Sequence, residues 1–276
     1  MRPTKMLAGL AALGLTISLA ACGGSDSDSG DTASDSGGGT IKIGIKFDQP
    51  GLGLKNSDGS YSGFDVDMAK YIAEGLGYSE DDIEWVEAVS ANRETFLENG
   101  TVDMILATYS ITDERKQKVD FAGPYYIAGQ DLLVTADNTD ITGPDTLDGK
   151  KLCSVTGSTS AQKVKDTYST NVQLQEFDSY SKCVEALLGG QIDALTTDDI
   201  ILAGYAQQYP GELKVVGQPF SEERYGVGLP KGSEDRDKIN DLIEASFADG
   251  AWEKAFDDNL GESGYTLPDP PAVDRY

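Results

Sequence analysis

The chain has 276 residues, 47 of them acidic and 22 basic, for a net charge of -25, and it contains no histidine. Such a charge repels nucleic-acid phosphates, and the lack of imidazole removes Ser-His-Asp and Cys-His catalysis together with every histidine-containing zinc site. With 39% apolar residues the chain can bury one large core or two modest ones, so one or two folded lobes are expected rather than disorder.

Arg2 and Lys5 precede an apolar stretch that runs from Met6 only to Ala21, too short to span a bilayer comfortably and fitting a secretory signal. It ends in Leu19-Ala20-Ala21-Cys22-Gly23, which looks like a bacterial lipobox, where the cysteine takes a lipid and cleavage leaves Cys22 first. An ordinary signal peptide with a chance cysteine is the alternative. Residues 1–21 are thus expected to be a lipoprotein signal peptide and 22–39 a lipidated cysteine with a flexible tether, since 23–39 hold only Gly, Ser, Asp, Thr and Ala. Loss of Arg2 and Lys5 leaves 20 basic against 47 acidic residues, or -27, so an anionic membrane surface repels the protein and the lipid must hold it there. Cys153 and Cys183 remain as an even pair in a disulfide-permissive compartment; a disulfide is the simple expectation and two separate buried thiols the other.

From Thr40 the pattern changes to short β-branched runs alternating with amphipathic stretches. Residues 41–47 read as a strand; Asn56-Ser57-Asp58-Gly59 is a turn; Val66, Ala69, Ile72, Ala73 and Leu76 recur at helical spacing. Strands at 83–86 and 102–107 flank a helix with Arg93, Phe96 and Leu97, which Ser90 is placed to cap. This alternation favours a parallel sheet with helices on its faces.

A second unit of the same kind opens near Thr142-Gly143-Pro144-Asp145. Strands are expected at 151–155, 172–177, 194–196 and 213–216, and helices at 160–167, 180–188 and 200–208. A strand at 225–229 and helices around 238–247 and 252–259 have no second sheet to complete, which sends them back to the first lobe. The Pro- and Asp-rich tail after Thr266 is expected to fray.

Four segments, in order and at consistent spacing, carry a resemblance: Gly63-Phe64-Asp65-Val66-Asp67, residues 107–115, Phe121-Ala122-Gly123-Pro124-Tyr125, and residues 193–198. Over 41–260 the sequence resembles the polar-amino-acid solute-binding proteins of ABC importers, and within them the glutamate-binding lipoproteins of Gram-positive bacteria. The resemblance implies a two-lobed α/β fold of the periplasmic-binding-protein type II, each lobe a mainly parallel sheet flanked by helices. Lobe one would span 40–133 and 224–276 and lobe two 134–223, with hinge segments near 130–135 and 219–224. It also implies a monomer, lipid-anchored outside the cell, that delivers a small acidic amino acid to a membrane permease without cofactor or metal.

By the same resemblance, Arg115 takes the α-carboxylate through its planar guanidinium, with Ser110 and Thr108 adding donors. Read from its surroundings alone, Arg115 is equally a first-turn arginine paired with Glu114 or Asp113. Gly157, Ser158 and Thr159 lie between a strand and a helix, where free N–H groups make an anion site, or simply a serine-capped helix. Asp198 falls where relatives hold the ligand ammonium, with helix capping as its other role. Lys46 and Arg93 match positions that bind a distal carboxylate, which favours glutamate or aspartate over glutamine or asparagine. Phe47 and Tyr180 are placed to touch the ligand side chain or to serve as core aromatics.

Three other activities compete. Ser160-Ala161-Gln162-Lys163 matches the S-x-x-K pattern of penicillin-recognising enzymes, but their S-D-N and K-T-G elements are absent. A dehydratase on the same fold and a sensor acting on a membrane partner are both compatible with the scaffold.

Overall fold

The computed structural model describes residues 39–276 except 169–170. The expected signal peptide, the Cys22 lipid site and all of the tether but Gly39 lie outside the described residues.

Lobe one begins with β1 (Ile41–Ile45), whose core-facing Ile41, Ile43 and Ile45 are buried. A small antiparallel sheet of β2 (Asp48–Gln49), β3 (Gly53–Lys55) and β4 (Tyr61–Ser62) leads to α1 (Phe64–Leu76). Val66, Ala69, Ile72 and Ala73 of α1 are buried as their spacing predicts. Gly77, at φ 102°, ends the helix in the left-handed conformation that only glycine adopts cheaply. Then come β5 (Ile83–Glu87), α2 (Arg93–Glu98), β6 (Met104–Ile105), the short α3 (Asp113–Lys116) and β7 (Asp120–Ala128).

Lobe two contains β8 (Gln130–Thr135), β9 (Lys151–Val155), α4 (Thr159–Lys163), β10 (Gln173–Phe177), α5 (Tyr180–Leu188), β11 (Ala194–Asp198), α6 (Asp199–Gln208) and β12 (Leu213–Val215). The chain returns through β13 (Glu223–Leu229), α7 (Arg236–Asp249) and α8 (Ala251–Leu260). As expected, α7 and α8 pack on lobe one, against α1 and β7.

The first sheet has the order β5-β1-β6-β13-β7 and the second β10-β9-β11-β8-β12. In each sheet four strands run one way and one is reversed: β13 in the first, β8 in the second. Both reversed strands are the ones that enter a lobe from the other side. The hinge segment expected at 130–135 is therefore a strand, and the lobe boundary expected at 133/134 falls inside β8. Pairing of Gln130–Leu133 with Asp198–Leu195 puts these residues in the second sheet, so the chain crosses at Gly129. The return crossing is 216–222, and Glu223 and Arg224 already belong to β13. The crossings are tied together: Phe220 N–H donates to the Gln130 carbonyl (2.9 Å) and Gln130 N–H to Ser221 Oγ (3.1 Å).

Four further expectations change. The strand at 102–107 is only Met104–Ile105. The helix at 160–167 stops at Lys163 and continues as a wider π turn, Val164–Tyr168. Ser90 does not cap α2; its hydroxyl accepts from Lys46 Nζ at 2.8 Å. The tail does not fray. β7 is an edge strand, and its free groups find partners there: Phe121 N–H donates to Tyr276 Oη (2.9 Å), and Gly123 O accepts from Asp274 N–H (2.8 Å). Arg275 adds ion pairs to Asp241 and Glu244 on α7, both 2.7 Å.

Cys153 of β9 and Cys183 of α5 are joined, with Cα atoms 5.7 Å apart and a sequence separation of 30. Closing a loop of that size contributes roughly 3–4 kcal/mol in the chain-entropy model. Reduction should therefore lower the urea midpoint of lobe two while leaving the lobe-one tryptophan signals of Trp85 and Trp252 at their oxidised midpoint, measured by fluorescence against far-UV circular dichroism.

Candidate functional site

The carboxyl ends of the parallel strands face a cleft between the two sheets, the edge at which open α/β sheets gather ligand-binding groups. Lys46 follows β1, Ser90 follows β5, and Thr108 and Ser110 follow β6. The Gly157 turn follows β9, and Asp198 ends β11. A small cavity there is lined by Ser90, Arg93, Thr108, Ser110 and Arg115 from lobe one. Ser158, Thr159, Ser160, Tyr180, Asp198 and Ile201 line it from lobe two.

Arg115 is anchored on both sides of the cleft. Its Nη1 donates to the Ser110 carbonyl (2.7 Å), its Nη2 to the Gly157 carbonyl of the other lobe (3.0 Å), and its Nε pairs with Glu94 (3.2 Å). The pairing with Glu114 or Asp113 that its neighbourhood in sequence allowed is thus replaced by Glu94, one residue after Arg93. The Tyr109 ring lies against both guanidinium groups, 4.2 Å from Arg93 Cζ and 4.9 Å from Arg115 Cζ, and fixes them without using up their donors.

Arg93 is 2% exposed. Its Nη1 donates to the Ala107 carbonyl (2.9 Å) and more weakly to that of Thr108 (3.4 Å), while its Nε has no protein acceptor. Burial first, then Arg115, lowers its pKa to about 10, so it remains a cation at neutral pH. Lys46, 4% exposed, stands behind the cavity wall rather than in it; its Nζ donates to the hydroxyl of the cavity-lining Ser90, and burial followed by the Arg93 charge brings its pKa down to about 7.

Thr108 has φ 46°, a left-handed conformation costly for a β-branched residue. Asp65 holds it there. The buried carboxylate accepts Thr108 N–H at 2.9 Å with one oxygen and Tyr125 Oη at 2.7 Å with the other. Burial raises the Asp65 pKa to about 6 against these two hydrogen bonds. The Gly-Phe-Asp-Val-Asp signature thereby reaches the cleft through its aspartate.

On the opposite wall, Ser158 caps α4 by accepting Ala161 N–H (3.3 Å), so the serine-capped helix is real, and Ser158 also lines the cavity. Gly157, at φ 81°, lets the turn approach lobe one so closely that a Cβ there would lie 2.7 Å from the Ala91 Cα. Asp198 makes no capping bond through its side chain; the neighbouring Asp199 instead accepts Gly129 N–H (3.1 Å) and Ile200 N–H (2.8 Å). One Asp198 oxygen accepts Tyr225 Oη (2.6 Å) and the other has no protein donor. Burial, and then the Glu223 charge, raises the Asp198 pKa. Tyr180 is pushed up to about 12 by burial and Asp198, so its hydroxyl stays protonated.

Phe47 is not among the cavity-lining residues. Its ring packs 5.1 Å from that of Tyr61 with Lys55 Nζ 5.3 Å above it. Sequence reasoning passed over Glu94 and Glu223. Glu223 accepts from Thr159 Oγ1 (3.0 Å), Lys163 Nζ (2.8 Å) and Ser221 Oγ (3.1 Å), joining the return crossing to α4. Neither carboxylate carries a local signal in a chain with 47 acidic residues. Among the described residues no group of His, Cys, Asp and Glu is placed to hold a metal ion.

Two α/β lobes with a double crossing, and a cleft that sets buried cations against a buried carboxylate, define a protein that encloses a small charged molecule. Comparison with known proteins agrees. The chain belongs to the bacterial extracellular solute-binding proteins, family 3, whose model matches residues 41–262. It is 49% identical to the glutamate-binding protein GluB of Corynebacterium glutamicum over 262 residues, covering 91% of this chain and 88% of that one. It is 36% identical to the ABC transporter glutamine-binding protein GlnH of Bacillus subtilis, covering 90% and 93%. Among solved structures, an ancestral arginine-binding protein bound to glutamine superposes with a TM-score of 0.75 at 36% identity, over 81% of this chain and 98% of that one.

Because the Gly157 turn touches Ala91, a Cβ at that position should hold the lobes apart. Gly157→Ala should raise the radius of gyration in small-angle scattering under conditions where the unchanged protein is compact, with the far-UV circular dichroism of the two preserved.

Proposed function

We propose that this chain is the extracytoplasmic solute-binding subunit of an ABC amino-acid importer, and that it closes its lobes on L-glutamate. One observation carries the reading. Among the buried side-chain atoms without a protein partner, the charged groups lining the cavity are Arg93 Nε and Asp198 Oδ1. A guanidinium cation, and a carboxyl group that a ligand ammonium would ionise against the burial that raises its pKa to about 8, suit a zwitterion, since leaving a buried charge unpaired costs roughly 1–3 kcal/mol or more.

In this reading Arg115, with Ser110 and Thr108 and the backbone of Gly157–Thr159 opposite, receives the α-carboxylate. Asp198 receives the ammonium, and Arg93 and Lys46 the distal carboxylate, with Tyr180 closing over the side chain. Phe47 supports the wall through Tyr61. Two cations near the distal end favour an acid over an amide, and the Corynebacterium relative's name points the same way, while that of the Bacillus relative makes glutamine the alternative. No bond is made or broken: the cycle is capture, closure driven by contacts made better in the closed state, and delivery to the permease. The signal peptide, the Cys22 lipid and the tether complete the proposal as a monomer held at the outer face of the cell membrane.

Calorimetric titration of the refolded domain from Thr40 onward with L-glutamate, L-aspartate, L-glutamine and L-asparagine tests this. One-to-one binding of an acidic amino acid is expected, abolished by Arg115→Ala and weakened by Arg93→Ala; preference for an amide would overturn the acidic pocket, and binding of none would overturn the amino-acid reading.

The pH dependence gives a sharper expectation. A carboxylate beside Lys46 raises its pKa above the free value of about 7, so the glutamate complex keeps a proton that the free protein loses as pH rises. The Asp198 contribution is common to every amino acid and cancels in a ratio. The ratio of glutamate to glutamine affinity should therefore be level below the free Lys46 pKa of about 7 and fall as pH rises above it, and Lys46→Met should flatten it.

A further inference from the structure

The lobes also meet away from the charged cavity, at the rim formed by β2. Asp48 Oδ2 accepts the Ser181 N–H of α5 at 3.1 Å and the Tyr205 hydroxyl of α6 at 3.3 Å; the Asp48 carbonyl accepts the same hydroxyl at 2.5 Å. Burial and then the Asp48 charge drive the Tyr205 pKa far up, so this hydroxyl is always a donor. Alongside, the Pro50 carbonyl packs against Gly204 where no Cβ would fit.

Helix α5 lacks a cap of its own. Ser179, its N-cap residue, makes no capping bond through its side chain, and its hydroxyl instead meets that of Ser181 (3.0 Å). The carboxylate that fills the role comes from the other lobe and places a negative charge at the positive end of the helix dipole. The first residue of α5 is Tyr180, which lines the cavity. One side chain of lobe one thus fixes the start of the helix that aims Tyr180 across the cleft.

We infer that Asp48 is a positioning residue of the binding site, which caps α5 from the opposite lobe only when the cleft is closed and so sets affinity through closure and the placement of Tyr180. It acts behind the ligand-lining shell, as Asp48 is absent from the cavity wall. The Asp48 charge also raises the Lys46 pKa, so an acidic and an amide ligand differ in how much they lose with it, while both lose the closure contact. The ligand in this argument rests on the reading given under the proposed function, and the Asp48–α5 contact does not.

The test combines binding with an interlobe distance. Asp48→Ala, Asp48→Asn and Tyr205→Phe are titrated with L-glutamate and L-glutamine. The spacing between spin labels on cysteines introduced at exposed Glu74 of lobe one and Gln175 of lobe two is measured with and without ligand. Asp48→Ala should weaken both amino acids, on the order of tenfold, chiefly through faster dissociation, and shift the label distances longer. Asp48→Asn, which keeps an acceptor but not the charge, should lie between. Tyr205→Phe should cost nearly as much in the Asp48→Ala background as alone, since its short hydrogen bond is to the Asp48 carbonyl, which alanine keeps. An Asp48→Ala protein with affinities within about twofold of the unchanged chain, or a loss confined to one amino acid, would overturn the inference. If the unchanged chain binds neither amino acid, the ligand reading fails by itself. Asp48 is then decided by the distances, and overlapping distributions for Asp48→Ala and the unchanged chain would refute its role.

Discussion

Arg115 is the interaction on which the site depends, because one planar guanidinium satisfies acceptors of both lobes at once. Ser110 and Glu94 hold it from lobe one and Gly157 from lobe two. A lysine has no fork with which to do this. The surrounding residues maintain that geometry: Tyr109 flanks the guanidinium, and Thr112 accepts the Arg115 N–H and caps the single turn that carries it. The floor of the cleft is set by Asp65, through a Thr108 backbone conformation that no regular element would supply.

Around this point the topology restrains how the lobes can move. Reversed strands β8 and β13 bring the chain across, and hydrogen bonds between the two crossings make them a single double-stranded connection. Movement about such a connection opens or shuts the cleft more readily than it slides the sheets past each other. Contacts that depend on closure then lie on either side of the cavity: Arg115 to Gly157 and Thr159 to Glu223 on one, Asp48 to α5 and α6 on the other.

The architecture was legible wherever a local pattern has one physical reading. The spacing of Val66, Ala69, Ile72 and Ala73 gave α1, and the even cysteine pair gave the bridge between β9 and α5; Arg115 and Asp198, singled out from the ordered motifs, and Arg93 and Tyr180, from the resemblance, line one cavity. β7 was hidden by Gly123-Pro124, which reads as a break; the strand tolerates proline because it lies at the sheet edge. The tail was misread for the same reason, since an unfilled edge is a property of the folded sheet and not of residues 266–276. Glu94, Glu223 and Asp48 were illegible in a different way. Each owes its role to a partner tens to more than a hundred residues away, and an acidic residue in so acidic a chain announces nothing by itself.

Tyr276, far along the chain, bonds back to the lobe that the described residues begin. Phe121 N–H has its hydroxyl partner, and Gly123 O its donor, only when Tyr276 and Asp274 exist. Lobe two is one continuous stretch between the crossings, whereas lobe one is assembled from both ends of the folded part of the chain. In the order of synthesis, the lobe begun first is therefore finished after lobe two, and until residues 274–276 have been made its sheet has a bare edge along β7.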